Sequence, residues 1–282
     1  MSNNFFVIHN YNTVPTELLS FTSEGKYILY DCSDDGKTKA ELKQRGIEFI
    51  DIPNTGHNIT SYFKYLADNY DNLPEVVELL KGNILGRHCS KEYFSKVYEN
   101  NYFTYLYENE KAVPSLSKGY PDVKQTDIAF LTSESKFVEL NNSWYVDSPD
   151  HPHRYFDNLD DLLKFVFIKP IVPKWCLFAP GACYIVRREQ VMRHSATFYR
   201  NLNKLMDYGT GHNFASEAHQ IERILPLIFD STYEANPWMN DEAEFDSRIM
   251  EIRKNMELAE KAKEERRGRH KFFRKIYRLV KH

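Results

Sequence analysis

The feature that most constrains this chain is an alternation in its first third. Short apolar runs, FFVIHN (5–10), YILYD (27–31), IEFIDI (47–52) and EVVELL (75–80), are separated by helix-like segments. These are TVPTELLSF, begun by Pro15, then KTKAELKQRG, then a stretch from Asn58 to Tyr70. Strand-length runs with helices between them cannot close as hairpins. They imply right-handed βαβ crossovers and a parallel sheet. In such a sheet ligands sit beyond the carboxyl ends of the strands. All four runs finish in polar residues: His9-Asn10-Tyr11, Asp31-Cys32-Ser33-Asp34-Asp35, Asn54 to Asn58, and Lys81-Gly82-Asn83. One such cluster is an ordinary turn. Four in register predict a shared cleft.

Beyond residue 100 the pattern is less regular. KAVPSLSKGYPDVKQTD and NNSWYVDSPDHPHRYF read as loops. NLDDLLKFVF predicts a helix capped by Asn158, with Asp160 and Asp161 in its first turn. WCLFAPGACYIV (175–186) reads as two strand segments pinched at Pro180-Gly181, and RREQVMRHSATFYRNLNKLMDY as helical. SEAHQIERILPLIF (216–229) predicts a helix bent or interrupted at Pro226. From Asp241 a long charged helix follows, with a break expected near Gly268. The domain division expected is 1–235 for an α/β catalytic body and 236–282 for a helical tail.

The net charge of −3 hides an asymmetry. Residues 253–282 hold twelve Lys/Arg against four Glu, so a tail of +8 follows a body of −11. The overall balance argues against a nucleic-acid binder. The N-terminus has no basic start or long apolar stretch, and no run approaches the roughly 18 apolar residues of a membrane span. Cys32, Cys89, Cys176 and Cys183 form no CxxC pair and read as reduced, buried thiols of a cytoplasmic protein. In the tail, Phe272, Phe273, Ile276, Leu279 and Val280 recur at helical spacing among Arg269, Lys271, Arg274, Lys275, Arg278 and Lys281. That pattern fits a helix lying on an anionic membrane surface, or an apolar stripe packed on the protein or on another subunit.

Several residues could carry chemistry. Ser216 is the expected N-cap of its helix, which places Glu217 in the first turn. There, backbone amides hold a carboxylate ionised, as a general base requires; the commonplace alternative is an ordinary helix start. Glu222-Arg223 reads as an ion pair, with His219 nearby. In LLKGNILGRHCSKEYF, Lys81 and Arg87 can offset phosphate charge, while Asn83 and His88 can hydrogen-bond or bind metal. VDSPDHPHRYF gathers Asp147, Asp150, His151 and His153, a metal-ligand mixture that a solvated loop explains as well. There is no GxGxxG, P-loop, HExxH or nucleophile elbow, which argues against dehydrogenases, P-loop NTPases, zincins and α/β-hydrolases.

Taken together, four segments resemble a known family. Residues 5–36, with YILYDCSDDG, resemble the opening of a GT-A glycosyltransferase. IPNTGHNITSYFKYLADNYDNLPEVVELLKGN, LFAPGACYIVRREQVMRHSATFYRNL and SEAHQIERILPLIF are similar, in order and spacing, to motifs of a family of bacterial polysaccharide glycosyltransferases. The resemblance covers about 5–230. It departs at two points: KGN stands after the fourth strand, where many GT-A enzymes carry DxD, and the usual Trp of the last motif is replaced around Leu225.

The resemblance implies a GT-A-like (Rossmann-like), mostly parallel sheet flanked by helices. It also implies sugar transfer, inverting at the anomeric carbon, from a nucleotide-diphosphate sugar to an oligosaccharide or lipid-linked saccharide in capsule or lipo-oligosaccharide synthesis. His9, Asn10, Tyr11, Asp31, Asn54, Gly56, His57 and Asn58 would lie on the donor side, and Lys81, Gly82, Asn83 and His88 near the diphosphate. Glu217 would be the base. Gly181, His219, Glu222 and Arg223 would face the acceptor or support the site. The leaving diphosphate would be stabilised by a manganese or magnesium cofactor or by Lys81 and Arg87. The tail, through Phe272, Phe273, Arg274, Lys275 and Ile276, would hold the enzyme on the cytoplasmic face of the inner membrane, with oligomers an open option. Two other readings fit the same residues: a different nucleotide- or phosphate-ester-handling α/β enzyme, and a non-catalytic membrane-associated scaffold.

Overall fold

The computed structural model describes residues 4–23, 25–108, 129–131, 137–142, 151–208 and 215–280, with the backbone alone at 129–131, 264 and 267–280. The expected alternation is present: β1 (Phe5–Asn10), α1 (Thr16–Leu19), β2 (Tyr27–Asp31), α2 (Gly36–Gln44), β3 (Ile50–Asp51), α3 (His57–Asp68) and β4 (Val76–Lys81). There follow α4 (Lys91–Val97), β5 (Thr104–Tyr105), β6 (Ala129–Leu131), β7 (Phe137–Leu140), α5 (Leu159–Val166), β8 (Trp175–Phe178) and β9 (Tyr184–Arg187). The chain then continues through α6 (Arg188–Val191), α7 (Ala196–Met206), α8 (Ser216–Asp230) and α9 (Glu242–Val280).

Among the described residues one sheet has the order β3-β2-β1-β4-β9-β5 and a second has β6-β7-β8. β3, β2, β1 and β4 run parallel, while β9 joins β4 and β5 joins β9 antiparallel. The fold is therefore α/β with a mostly parallel sheet flanked by helices. Strands β1 to β3 build outward on one side, and β4 then returns to the other flank of β1. That reversal is a topological switch point, and its crevice lies at the carboxyl ends of β1 and β4, where His9 is paired with Lys81.

The two faces of the sheet explain its unbroken apolar runs. Phe6, Ile8, Leu29 and Leu80 meet Leu18 of α1, Leu42 of α2 and Phe94 of α4. Val7, Val77 and Leu79 face the other way, onto a larger core with Phe63 of α3, Leu202 of α7 and Ile224 of α8. Burial on both sides leaves no room for polar alternation.

Three local expectations change and two are sharpened. β3 pairs only at Ile50 and Asp51, not over 47–52, because it is an edge strand whose Ile47 and Phe49 turn toward the core. The run after β9 is two helices, since Ser195 caps α7 by accepting from the Phe198 N–H at 3.1 Å. α8 continues through Pro226, and its N-cap is Ala215 rather than Ser216, with no side-chain cap bond. The Ser216 hydroxyl accepts instead from Gln220 at 3.2 Å. α9 is continuous across Gly268. Met239, Phe245 and Ile249 are buried in the main core, so structure at the 235/236 division is continuous with the body; beyond Met256 the described side chains are exposed. All four cysteines are buried free thiols. Among the described residues no helix is long and apolar enough to cross a membrane.

Candidate functional site

A cavity of about 230 Å³ lies at the carboxyl edge of the sheet, between the end of β4, the start of α3, the turn joining β8 to β9, and α8. Lys81 and Arg87 form its cationic side with the His88 ring beside them, and His57, Asn58 and Ile59 bring the first turn of α3 to it. Opposite stand His219, Glu222 and Arg223 of α8 with Glu139 of β7, and Tyr107, Phe137 and Phe178 supply apolar surface.

The start of α3 is unusual in two ways. Its N-cap, Gly56, offers no side chain, so no side-chain cap meets the first-turn amides. The next residue, His57, holds φ at +54°, a left-handed conformation uncommon outside glycine, though histidine adopts it more often than most residues. Asn58 donates to Tyr62 Oη and to the Gly181 carbonyl, each at 2.9 Å, which ties α3 to the β8–β9 turn. Gly181 has φ +91°, and a Cβ there would lie 2.5 Å from the His88 ring. Only glycine lets this turn close over His88.

On the opposite wall, Arg223 is buried and doubly paired. Its Nε and Nη2 reach Glu139 Oε2 at 2.9 and 2.7 Å, and Nη1 reaches Glu222 Oε2 at 2.8 Å. Its guanidinium stacks over Phe178 at 4.6 Å. Burial opposes the charge, but Glu139 and Glu222 outweigh it and push the Arg223 pKa up. Glu222 Oε1 accepts from the Gly181 N–H at 2.7 Å, so α8 and the turn hold each other.

The imidazoles are neutral near pH 7. Burial, then Lys81 and Arg87, lowers His88 to about 3. Burial, then His219 and Lys81, holds His57 well below its usual range. Burial, then Arg223, does the same to His219. The three rings His57, His219 and His151 form a row, with centroids 5.5 and 4.3 Å apart. Burial also pulls the Lys81 pKa down, against the opposing pull of Cys183 and Glu222.

The other expected residues lie elsewhere. Glu217 does not line the cavity. It is fully buried, and Oε1 accepts from the backbone N–H groups of Arg154, Tyr155 and Phe156 at 3.1, 2.7 and 3.2 Å. Its Oε2 accepts from Tyr208 Oη at 2.7 Å. The carboxylate fastens the 152–156 loop to α8, so it is not among the cavity residues where the expectation of a base would place it.

The tips of β1 and β2 are bonded to each other: Asn10 Nδ2 and Ser33 Oγ donate to Asp31 Oδ1 at 2.8 and 2.7 Å, and Tyr11 Oη donates to Asp34 at 2.9 Å. His9 Nδ1 lies 2.9 Å from Ser61 Oγ. Asp31 Oδ2, Asn10 Oδ1 and Asn54 Oδ1 are buried without a hydrogen-bond partner among the described residues. Gly56 packs against Met206 and Thr60, and Gly82 against the Asn10 amide, so a side chain fits at neither position. Asn83 lies in the turn after β4, outside the cavity lining. His153 bonds the Phe156 carbonyl at 2.9 Å, while Asp147 and Asp150 lie outside the described residues, as do the side chains of Phe272, Phe273, Arg274, Lys275 and Ile276. Among the described residues no group of three His, Cys, Asp or Glu side chains is arranged to hold a metal ion.

Glu139 was missed by the sequence reading. Its signal is a lone acid inside the apolar run FVEL, which burial makes affordable only with a cation opposite. No family model, curated protein or solved structure matches the chain.

Proposed function

We propose that this chain transfers a sugar from a nucleoside diphosphate donor to a hydroxyl of a saccharide acceptor, on a GT-A-like form of its α/β fold. The observation that carries the reading is the convergence of Lys81, Arg87 and the first turn of α3 on one cavity beside the switch point. A helix start without a side-chain cap and two cations suit an anion. A departing diphosphate is the anion that a sugar transferase must stabilise. The cavity is smaller than the roughly 300–1,000 Å³ of whole-ligand pockets. It suits the sugar and its phosphates, with the nucleoside toward the polar tips of β1 and β2.

In this reading the acceptor oxygen attacks the anomeric carbon as its bond to the diphosphate breaks, through an oxocarbenium-like state, and the anomer inverts. In this reading Lys81 and Arg87, which line the cavity, take the leaving charge. The acceptor is an oligosaccharide or lipid-linked saccharide, brought close by a basic helical end resting on the anionic cytoplasmic leaflet.

A thermal-shift panel tests this. Nucleoside diphosphates and diphosphate sugars should raise Tm, mononucleotides should not, and Lys81→Ala should remove the shift. Equal shifts with mononucleotides would favour a phosphate-ester enzyme. A panel without any shift, with and without magnesium or manganese, would end the sugar-transfer reading.

A further inference from the structure

We infer that His57 is the proton acceptor for the attacking hydroxyl. The inference rests on the sugar-transfer reading and deepens it. Displacement needs a base within reach of the reacting oxygen. Glu217 is outside the cavity. Glu222 is inside, but one of its oxygens is held by the Gly181 N–H and the other by the Arg223 guanidinium, which turns both toward structure rather than toward an incoming hydroxyl. Lys81 and Arg87 are cations on the phosphate side. His88 lies beside them, under Gly181.

That leaves the imidazoles of His57 and His219. His57 stands at the junction of the anion-facing helix start and the α8 wall, with its ring 5.5 Å from that of His219. It alone among the cavity histidines is held in a left-handed backbone. Strain kept at one residue of a cavity wall is a mark of positioning for chemistry.

The step balances. The hydroxyl proton passes to the His57 ring, and the oxygen bonds the anomeric carbon. The carbon–oxygen bond to the diphosphate breaks with its electron pair on phosphate, and the imidazolium then returns its proton to solvent. The groups facing His57 are His219 and His151, Lys81 from β4 and His9 from β1. Burial foremost, and these charges with it, keeps the free ring neutral and weakly basic. A bound diphosphate offsets Lys81 and so raises the basicity of His57 when the donor is in place.

The experiment uses the full chain and a donor identified by thermal shift. His57→Gly relieves the left-handed backbone, so its Tm should match or exceed that of the unchanged protein. Donor binding should be kept, turnover should fall about 10²- to 10⁴-fold, and added imidazole should restore part of it. His57→Asn, which also tolerates this backbone, should bind donor and show the same loss. Full turnover in either variant overturns the inference and leaves the sugar-transfer reading standing. So does a loss that imidazole does not rescue, or rescue seen in His219→Ala instead. A chain that binds no nucleotide sugar overturns both.

Discussion

Each oxygen of the Glu217 carboxylate is committed, one to three successive backbone N–H groups and the other to a tyrosine hydroxyl. A carboxylate so placed stores its value in stability. Glu217→Ala strands the N–H groups of Tyr155 and Phe156 in a buried setting, at about 1–3 kcal/mol for each stranded donor. Urea unfolding should show that loss, while turnover per folded molecule stays within about twofold. A variant of unchanged stability and lost turnover would return Glu217 to the chemistry. The same residue type at 222 has a different fate, because about 1.4 helical turns further on the side chain reaches the cavity.

At the scale of elements, α9 divides into an anchor and an arm. Phe245 is fully buried and Ile249 nearly so, whereas the described side chains beyond Met256 are exposed. Deleting 254–282 should leave the unfolding midpoint almost unchanged. Deleting 242–282 removes a buried Phe, and Phe-sized cavities cost about 3–5 kcal/mol. The shorter deletion also separates the roles of the arm: loss of binding to vesicles containing anionic lipid, with stability intact, supports a membrane contact. Retained binding would place that contact on the body.

At the scale of the whole molecule, burial keeps five histidines neutral. His9 and His194 are buried, with burial the leading cause of pKa values lowered to about 3 and about 4, and His57, His88 and His219 are lowered as well. The unfolded chain takes up protons below about pH 6.5 that the folded chain refuses. Stability is therefore full above that pH and is lost as the pH falls toward 4. His9 and His194 each contribute a slope of about 1.4 kcal/mol per pH unit. Glu78, buried in β4 and pushed up by that burial, runs the opposite way by one proton, so the histidines prevail. Denaturant midpoints at pH 7.5, 6.5 and 5.5 check this. A midpoint that does not fall below pH 6.5 would show that these rings are solvated.

Much of this architecture was legible in the residues themselves. Apolar runs of strand length, Pro15 before α1 and Asn158 at the start of α5 encode local structure through period, cap and backbone restriction. The parallel sheet follows because the segments between those runs are helices. The Pro180-Gly181 pinch was visible too, but not that its two flanking strands join different sheets. The site was legible only in part. His57, Asn58, Lys81, His88, Gly181, His219, Glu222 and Arg223 do gather at one cavity, while Asn10 and Asp31 turn to each other and Glu217 to a loop.

Sequence alone determined where the first four strands lie along the chain and that they run parallel, since hydrophobic period and turn chemistry act over a few residues; their order in the sheet came from the fold. Only the tertiary structure decided which carboxylate meets the cavity and which backbone amides capture the other. Those partners lie 61 to 63 positions away along the chain for Glu217, and 84 away for the Arg223–Glu139 pair. Contacts of that span are set by the packing of whole elements, which no local pattern encodes.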